Sequence, residues 1–421
     1  MFRFLHAADI HLDSPLVGLE LPESAPLDHI RGATRKAFGN LAELAIREEV
    51  SFLLVAGDLY DGDWRDFNTG IFFNRTMARL KDAGIAVVIV LGNHDAASQI
   101  TKSLRPPDNV HFLSTRKPET FRLKHLDVAI HGQSFSSRAI SHDLSSDYPI
   151  AQSGCFNIGL LHTALTGREG HESYAPCTVD GLKAKGYQYW ALGHVHQREV
   201  VLQEPWIVFP GNLQGRHIRE TGPKGCTVVT VEAQEVTQVD HIDLDVLRWQ
   251  LCRVDVSGCR NADEVYERTQ LKLQKALTEG EGRPVVARLE LHGSTSAHQK
   301  LQAQMVHWNE EFRNLAANLG GEGIWLEKVR IKTNEQMDIE SLLQSDEALG
   351  GLVKNLLDLD MDADKLNELD PDIDAFLNKL PPELRSGEDA FDPLANGQWE
   401  DICADVKNLL IAQLLEPKSQ T

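Results

Sequence analysis

The chain has 421 residues, of which 42% are hydrophobic, and it carries a formal net charge of −20. This length exceeds what one hydrophobic core usually organises and predicts two or three domains, while the charge provides no basic surface that would by itself favour a nucleic-acid partner. No apolar stretch approaches the roughly 20 residues that cross a bilayer, and the six cysteines lack the close pairing of a zinc ribbon or a disulfide scaffold, so we expect a soluble, cytoplasmic protein with reduced thiols.

The first part of the chain predicts alternating strands and helices. A short strand at the amino terminus, which lacks the apolar run and cleavage site of a signal peptide, leads to Asp9-Ile10-His11. Apolar residues at three- and four-residue spacing then predict a helix over 30–45. A strand over 50–56, a helix over 68–83 and a strand over 85–91 follow. This order is typical of an α/β core, in which ligand sites form at the carboxyl ends of the strands.

Shorter strands follow from about residue 110 onwards. We expect a helix over 179–185 and strands over 121–123, 127–131, 156–162, 187–192, 199–202, 206–209 and 226–232. Their short connections predict a second, mostly antiparallel sheet that packs on the first. The two sheets together predict an α/β sandwich domain over residues 1–243.

The remainder of the chain differs in character. Strand patterns over 250–256, 285–291 and 325–331 and helix patterns over 262–277 and 297–319 predict a separate small α+β domain over 244–334. From Glu335 to Thr421 there are 21 acidic and 6 basic residues, so the first 334 residues carry a net charge of only −5, which does not exclude DNA binding. This acidic tail, 335–421, is predicted to contain a linker over 370–398 and an amphipathic helix over 401–416. Such a helix either docks on a partner or packs on its own domain, and the sequence leaves both open.

Five clusters of polar side chains follow strands of the predicted core. Residues two apart in an extended strand project from the same side, so Asp9 with His11, and His194 with His196, can each aim two ligands into one cleft. Two divalent ions that lie close together need a bridging carboxylate, and we assign this role to Asp58. Donors of the Asp, Asn and His types without Cys suit manganese, iron or zinc better than magnesium. The candidate metal ligands are Asp9, His11, Asp58, Asn93, His162, His194 and His196.

These clusters read Asp-x-His, Gly-Asp, Gly-Asn-His-Asp, a lone His after an apolar strand, and Gly-His-x-His. In this order they resemble the five motifs of the calcineurin-like metallophosphoesterases. The resemblance implies a two-sheet metallophosphoesterase core that holds two divalent ions per chain. It implies that one ion is held by Asp9, His11, Asp58 and His196, and the other by Asp58, Asn93, His162 and His194.

The same resemblance implies catalytic residues beside the metals. His94 would stabilise or protonate the leaving oxygen, assisted by Asp95. Asp61 stands where some members of the family have a second catalytic histidine. It either orients His94 or shapes the end of the substrate, and the sequence leaves this open.

Within the family, the opening FLHAADIHLDSPL and the GDLYD segment are similar to the nuclease subunit of SbcCD-type DNA repair complexes, most of all to the bacterial YhaO-like DNA repair exonucleases. This likeness implies a DNA repair enzyme that is a 3′–5′ exonuclease, with endonuclease action left open, and that uses Mn²⁺. It implies that residues 244–334 form a capping domain that binds DNA, and that the protein is a homodimer. It also implies that the helix over 401–416 contacts the coiled coil of an SbcC-like ABC-type ATPase.

Four further residues are candidate DNA contacts. Trp64, next to Arg65, lies just beyond Asp61, where the end of a duplex could stack on it. Arg216 and His217 lie in a Gly-rich loop that could contact a phosphate, although a purely structural turn explains them equally well.

Two other functions stay open at this point. One is a phosphatase or phosphodiesterase for a small nucleotide or a phosphoprotein, against which the additional domain argues, since a small substrate does not need it. The other is a catalytically idle scaffold, against which all seven ligand positions argue, since none has been lost.

Overall fold

The computed structural model describes residues 1–14, 32–61, 67–97, 105–165 and 174–335, together with scattered positions between 351 and 410. The chain forms two compact units. The first contains residues 1–252, 270–289 and 309–330, and the second contains residues 253–269, 290–308 and 331–421. Among the described residues, no helix combines the length and apolarity that crossing a membrane would need.

The helices and strands are numbered here in chain order. They are β1 (Phe2–Ala7), α1 (Ala33–Arg47), β2 (Phe52–Ala56), α2 (Phe67–Asp82), β3 (Ala86–Val90), α3 (Asn93–Ala97), β4 (Val110–Phe112), β5 (Glu119–Leu123), β6 (Val128–Gly132), β7 (Phe156–His162), α4 (Val179–Lys183), β8 (Tyr189–Gly193), β9 (Glu199–Gln203), β10 (Trp206–Phe209), β11 (Gly225–Glu232), β12 (Glu235–Asp243), β13 (Arg248–Asp255), α5 (Ala262–Glu279), β14 (Val285–Thr295), α6 (His298–Ala303), α7 (Met305–Gly320) and β15 (Ile324–Glu335).

The first unit contains two six-stranded sheets, as the sequence predicts. The first sheet has the order β12-β11-β1-β2-β3-β4, in which β1 to β4 are parallel, and the second has the order β5-β6-β7-β8-β10-β9. Their inner faces share one apolar core, where Phe4 of β1 stacks on Phe52 at 4.9 Å between ring centroids and meets Tyr189 of β8 edge-on at 5.3 Å. The outer face of the first sheet is covered by the apolar stripes of α1 and α2. This mixed α/β sandwich confirms the predicted fold class.

Two details of the predicted sheets are wrong. The second sheet is mostly parallel, because β6, β7, β8 and β10 all run the same way and only the edge strands β5 and β9 are antiparallel to their neighbours. The segments that join β6 to β7 and β7 to β8 are long enough to be crossover connections, which parallel pairing requires. Strand β11, expected in the second sheet, pairs with β1 in the first.

A third, three-stranded sheet has the order β13-β14-β15. Arg288 of β14 and Glu327 of β15 form a buried bidentate ion pair at 2.9 and 2.7 Å. The single helix expected over 297–319 is two helices, α6 and α7, because Gln304 leaves the helical conformation between them. The domain boundaries at 243 and 334 stay predictions.

Most of the predicted tail lies outside the described residues. This applies to the linker over 370–398 and to most of the helix over 401–416, for which only Cys403, Val406, Lys407 and Leu410 are described, all of them helical.

Candidate metal centre

The seven candidate ligands lie together at one edge of the two sheets in the first unit. Parallel strands bring their carboxyl ends to the same edge, so residues that are far apart in sequence meet there. Strand β1 leads to Asp9 and His11, β2 to Asp58 and β3 to Asn93, while β7 ends at His162 and β8 leads to His194 and His196. Because all these residues follow strands that end at the same edge, one short cluster per strand is enough to form the centre.

Asp58 occupies the middle of the cluster. Its Oδ2 atom is 3.5 Å from Nε2 of His162 and 3.9 Å from Nε2 of His11. On one side, Nε2 of His11 is 3.4 Å from Nε2 of His196, which in turn is 3.7 Å from Oδ1 of Asp9. This arrangement agrees with the bridging role predicted for Asp58.

His162 and His194 lie on the other side of Asp58. Nε2 of His162 is 2.9 Å from Oδ1 of Asn93, and the His162 and His194 rings meet edge to face at 5.2 Å between centroids. The Asn93 amide and the two imidazoles therefore surround a second position next to Asp58. Two ligand sets with one shared carboxylate follow from this geometry.

Burial and the crowding of candidate ligands shift pKa values within the cluster. Burial, followed by the neighbouring Asp58 carboxylate, raises the pKa of Asp9 well above its ordinary value. Burial also lowers the pKa of His11 and of His162, so both imidazoles are neutral and keep a lone pair for a metal. Neutral imidazole nitrogens and carboxylate oxygens that face one another inside a buried pocket repel unless a cation lies between them. The residues present therefore fit a pair of divalent metals.

Four of the ligands stand on left-handed backbone, which is rare for residues other than glycine. The φ angles are 50° at Asp9, 44° at His11, 52° at Asp58 and 103° at His194. Such conformations cost on the order of 1–3 kcal/mol each and persist where the surroundings impose them, typically at functional sites. Here the turn after β1 is hydrogen-bonded to the turn after β2, from Asp9 N to Gly57 O at 3.0 Å and from His11 N to Asp58 O at 2.9 Å. These hydrogen bonds between the two turns stabilise the left-handed conformations.

Two glycines make room for the ligands. A Cβ atom on Gly92 would overlap the Asp58 carboxylate, and one on Gly57, whose φ is +90°, would overlap the His162 ring. Only bare backbone allows the ligands to approach so closely. The glycines that precede Asp58 and Asn93 in the sequence motifs therefore have a steric reason.

His94 is paired with Asp61 at the edge of the cluster. Nδ1 of His94 is 2.7 Å from Oδ1 of Asp61, whose other oxygen accepts a hydrogen bond from Ser14 Oγ at 2.5 Å. The hydrogen bond to Asp61 raises the pKa of His94 despite its partial burial. Burial opposes ionisation of Asp61, but the bonds from His94 and Ser14 lower its pKa to about 2. Of the two roles left open for Asp61, the geometry supports orientation of His94.

Asp95 is placed differently from the prediction. Its buried carboxylate accepts hydrogen bonds from the backbone amides of Leu59 at 3.1 Å, Tyr60 at 2.9 Å and Gly92 at 3.0 Å. Burial and the nearby Asp58 raise its pKa to about 7. Asp95 therefore ties the turn after β2 to the turn after β3, and it is Asp61 that contacts the His94 ring.

The predicted DNA contacts are not all in a position to meet a substrate. Trp64 and Arg65 lie outside the described residues. The Arg216 side chain is only 12% exposed, with its guanidinium 3.1 Å from Glu220 and 3.7 Å from Asp61. The His217 side chain is 29% exposed and lies 3.4 Å from the same glutamate. Arg216 is thus engaged within the protein, whereas His217 remains partly accessible.

Sequence reasoning missed Glu220, a buried carboxylate behind His196. Its Oε1 atom accepts a hydrogen bond from Nδ1 of His196 at 2.6 Å. Burial opposes its ionisation, but the bond from His196 and the charge of Arg216 lower its pKa below the ordinary value. Nothing in a single sequence separates this glutamate from the many other acidic residues, because its partner lies 24 positions away.

Comparisons with known proteins agree with this fold and this centre. The sequence profile of calcineurin-like phosphoesterases matches residues 2–198, and that of the middle domain of metallophosphoesterase YhaO matches residues 249–334. An uncharacterised metallophosphoesterase YhaO from Bacillus subtilis is 35% identical over 363 residues, which cover 84% of this chain and 86% of that protein. The chain therefore belongs to the calcineurin-like metallophosphoesterases, a family of hydrolases that use divalent metals, as its motifs predicted.

More distant relatives were also found. A protein named DNA double-strand break repair protein Mre11, from Sulfurisphaera tokodaii, is 25% identical over 374 residues, covering 84% of this chain and 88% of that protein. A crystal structure of a dimetal phosphatase from Danio rerio covers 55% of this chain and 93% of that chain, at 14% identity and a TM-score of 0.33. So low a structural score carries no argument about function.

Proposed function

We propose that this protein is a two-metal DNA phosphodiesterase that acts in DNA repair as a 3′–5′ exonuclease. The observation that carries the proposal is the convergence of carboxylate, amide and imidazole ligands on both sides of Asp58. The choice of DNA is supported by the similarity to proteins named Mre11, which extends over most of the chain. The donor set of Asp, Asn and His suits Mn²⁺ as well as iron or zinc, and the resemblance to SbcCD-type nucleases leads us to propose Mn²⁺.

Each ligand has a defined place in this proposal. When bound, two divalent ions activate the attacking oxygen and neutralise the charge on the transferred phosphorus group. Asp9, His11, Asp58 and His196 would hold one ion, and Asp58, Asn93, His162 and His194 would hold the other. Each of these side chains either lies within 4 Å of another member of the set or packs its ring against one.

His94 is the residue that handles the proton. Because its Nδ1 atom is bound to Asp61, its Nε2 atom is left to meet the substrate, and its side chain is 33% exposed. A protonated imidazole at this place stabilises the charge on the phosphate and donates a proton to the leaving 3′-oxygen. Asp61 holds the ring in the orientation that this step needs.

The partners are part of the same proposal. We propose that the centre and the domain over 244–334 both bind DNA, and that the protein is a homodimer. The helix over 401–416 would bind the coiled coil of an SbcC-like ABC-type ATPase. This assignment is supported by the likeness to SbcCD-type nuclease subunits and by the helical conformation of the four described positions in that segment.

A comparison of three substrates with Mn²⁺ tests the proposal. We expect cleavage of an end-labelled DNA duplex and of bis(p-nitrophenyl) phosphate, and weak hydrolysis of the monoester p-nitrophenyl phosphate. The variant Asp58→Asn serves as the control, since it should lose metal binding and all three activities together. Monoester preference without DNA cleavage would favour the small-substrate phosphatase, and a chain that binds no metal would favour the idle scaffold. Labelling each end of the duplex separately shows the polarity and reveals internal cuts.

A further inference from the structure

The Glu220 carboxylate contacts the ring of His196 on the side that faces away from the metal centre. The Glu220 side chain is 4% exposed, and its Oε1 atom lies 2.6 Å from Nδ1 of His196. Other N–H groups also donate to both oxygens of this carboxylate, so it acts as an acceptor, and the proton of the shared hydrogen bond resides on Nδ1 of the imidazole. The lone pair is then on Nε2, the atom that lies 3.4 Å from His11 Nε2 and 3.7 Å from Asp9. Glu220 thus selects the form of His196 that can bind a metal.

The glutamate is itself held by its own loop. Its Oε2 atom accepts hydrogen bonds from Asn212 Nδ2 at 2.9 Å and from the Arg216 backbone amide at 2.7 Å, and the Arg216 guanidinium lies 3.1 Å from Oε1. Lys224 Nζ donates a hydrogen bond at 2.9 Å to the backbone carbonyl of His196. One loop after β10 therefore fixes both the ring and the backbone of this ligand. So many bonds to one buried acid are more than a surface turn requires.

His196 and His162 differ in the group that accepts a hydrogen bond from Nδ1 of the ring. His162, in the other set, is bound through Nδ1 to the neutral backbone carbonyl of Ala56 at 2.9 Å. A carboxylate partner makes an imidazole a stronger ligand than a carbonyl does, and loss of such a partner typically costs about 10- to 100-fold in metal affinity. His196 is therefore supported by an anionic group and His162 by a neutral one.

We propose that Glu220 is a positioning residue that fixes the orientation and the tautomer of His196 and so strengthens one of the two metal sites. This inference rests on the proposed two-metal function, because it requires His196 to be a ligand. It does not depend on whether the substrate is DNA.

The variant Glu220→Gln tests the proposal in the full-length protein. An amide has one acceptor oxygen, so it cannot serve the four donors that converge on Glu220. Calorimetric titration with Mn²⁺ should show two sites in the wild type, and in the variant one site weakened about 10- to 100-fold with the other unchanged. Glu119→Gln is the matched control, since Glu119 binds His111 Nε2 at 2.7 Å and the Ser114 amide at 2.8 Å in the same manner, away from the ligands. It should leave both sites intact.

A second measurement needs no variant of Glu220. Nitrogen NMR of the metal-free wild type, with the His196 signals assigned by their loss in His196→Gln, should show the proton on Nδ1. A proton on Nε2 would overturn the proposal even if Glu220→Gln failed to fold. Wild-type affinity at both sites in a folded Glu220→Gln protein would overturn it while leaving the two-metal function standing. A wild type that binds no Mn²⁺ would refute both.

Discussion

The His94 and Asp61 pair is the part of the centre where a single side chain is expected to control turnover without holding a metal. His94 follows the candidate ligand Asn93, and its ring is bound to Asp61 and meets the His11 ring edge to face at 5.0 Å between centroids. Its backbone amide donates a hydrogen bond to Asp58 Oδ1 at 3.0 Å, so its main chain supports the bridging carboxylate whatever its side chain is. Metal binding and turnover can therefore be separated at this position.

We expect His94→Ala to bind two metals with wild-type affinity and to lose about 10²- to 10⁴-fold in kcat, the range for removal of a general acid. Titration with Mn²⁺ and steady-state kinetics with bis(p-nitrophenyl) phosphate measure the two properties. His125→Ala, at an exposed histidine, is the control and should change neither. A fully active His94→Ala enzyme would refute the catalytic role of His94.

At the scale of residues, the sequence predicts what each strand end carries but not how the side chains are supported. The convergence of the seven candidate ligands could be predicted because each follows a recognisable strand and belongs to a short motif. Glu220 could not, since its role depends on a contact between two loops. The same is true of Asp95, which binds backbone amides 35 and 36 positions away. Because Asp95 is next to His94 in the sequence, it was expected to assist His94 instead.

The turns after β2 and β3 meet around the Asp58 carboxylate. Gly92 at the end of β3 lies against that carboxylate with no room for a side chain, and Asp95 ties the two turns together. The distance between the two turns therefore sets the position of the Asp58 carboxylate.

Gly92→Ala should displace Asp58 and weaken Mn²⁺ binding by about 5- to 150-fold, because overpacking of this kind costs on the order of 1–3 kcal/mol. Calorimetric titration measures this loss. Gly39→Ala is the matched control: Gly39 lies within α1 with open space around it, so the change should leave metal binding intact and raise helix stability by about 0.5–1 kcal/mol. Unchanged Mn²⁺ affinity in Gly92→Ala would contradict this prediction and show that the turn can move to accommodate the methyl group without displacing Asp58.

Strand β1 also contains a buried histidine outside the metal centre. His6 lies between the Tyr189 hydroxyl at 3.0 Å and the Leu192 carbonyl at 3.1 Å, and burial lowers its pKa from 6.5 to about 3. Below pH 6.5 the unfolded chain takes up a proton at this residue and the folded chain does not. His6 therefore contributes stability that is present above pH 6.5 and is lost as the pH falls towards 3, by up to about 1.4 kcal/mol per pH unit.

His6→Gln should reduce this sensitivity to acid. Urea unfolding of the metal-free protein at pH 7.5 and pH 5.0 measures it, and we expect the wild type to lose about 2 kcal/mol more than the variant between the two values. The absolute stability of the variant at pH 7.5 is not the test, since Gln packs differently. An equal loss in both proteins would mean that His6 is protonated in the folded state.

At the scale of elements, helices and strands of the first half were predictable from their apolar periods, and the partners of the later strands were not. The short strands after residue 110 give no signal of direction, so β6, β7 and β8 were expected to be antiparallel. The long segments between them settle the direction, because they leave room for crossovers. Strand β11 pairs with β1 across more than two hundred residues, a contact that no local pattern encodes.

At the scale of the whole molecule, a single unit supplies every residue of the proposed metal centre. All seven ligands, the His94 and Asp61 pair and Glu220 belong to residues 1–252. The rest of the chain supplies the domain that matches the YhaO middle domain and the acidic tail, to which we assign DNA and the ATPase partner. Substrate choice and assembly are thus expected to depend on segments that do not contribute to the chemistry.

The most direct test of the central claim is anomalous scattering at the manganese edge from crystals soaked with Mn²⁺. Two peaks should appear, both in contact with the Asp58 carboxylate, one next to Asp9, His11 and His196 and the other next to Asn93, His162 and His194. A single peak, or peaks that do not touch Asp58, would contradict the account.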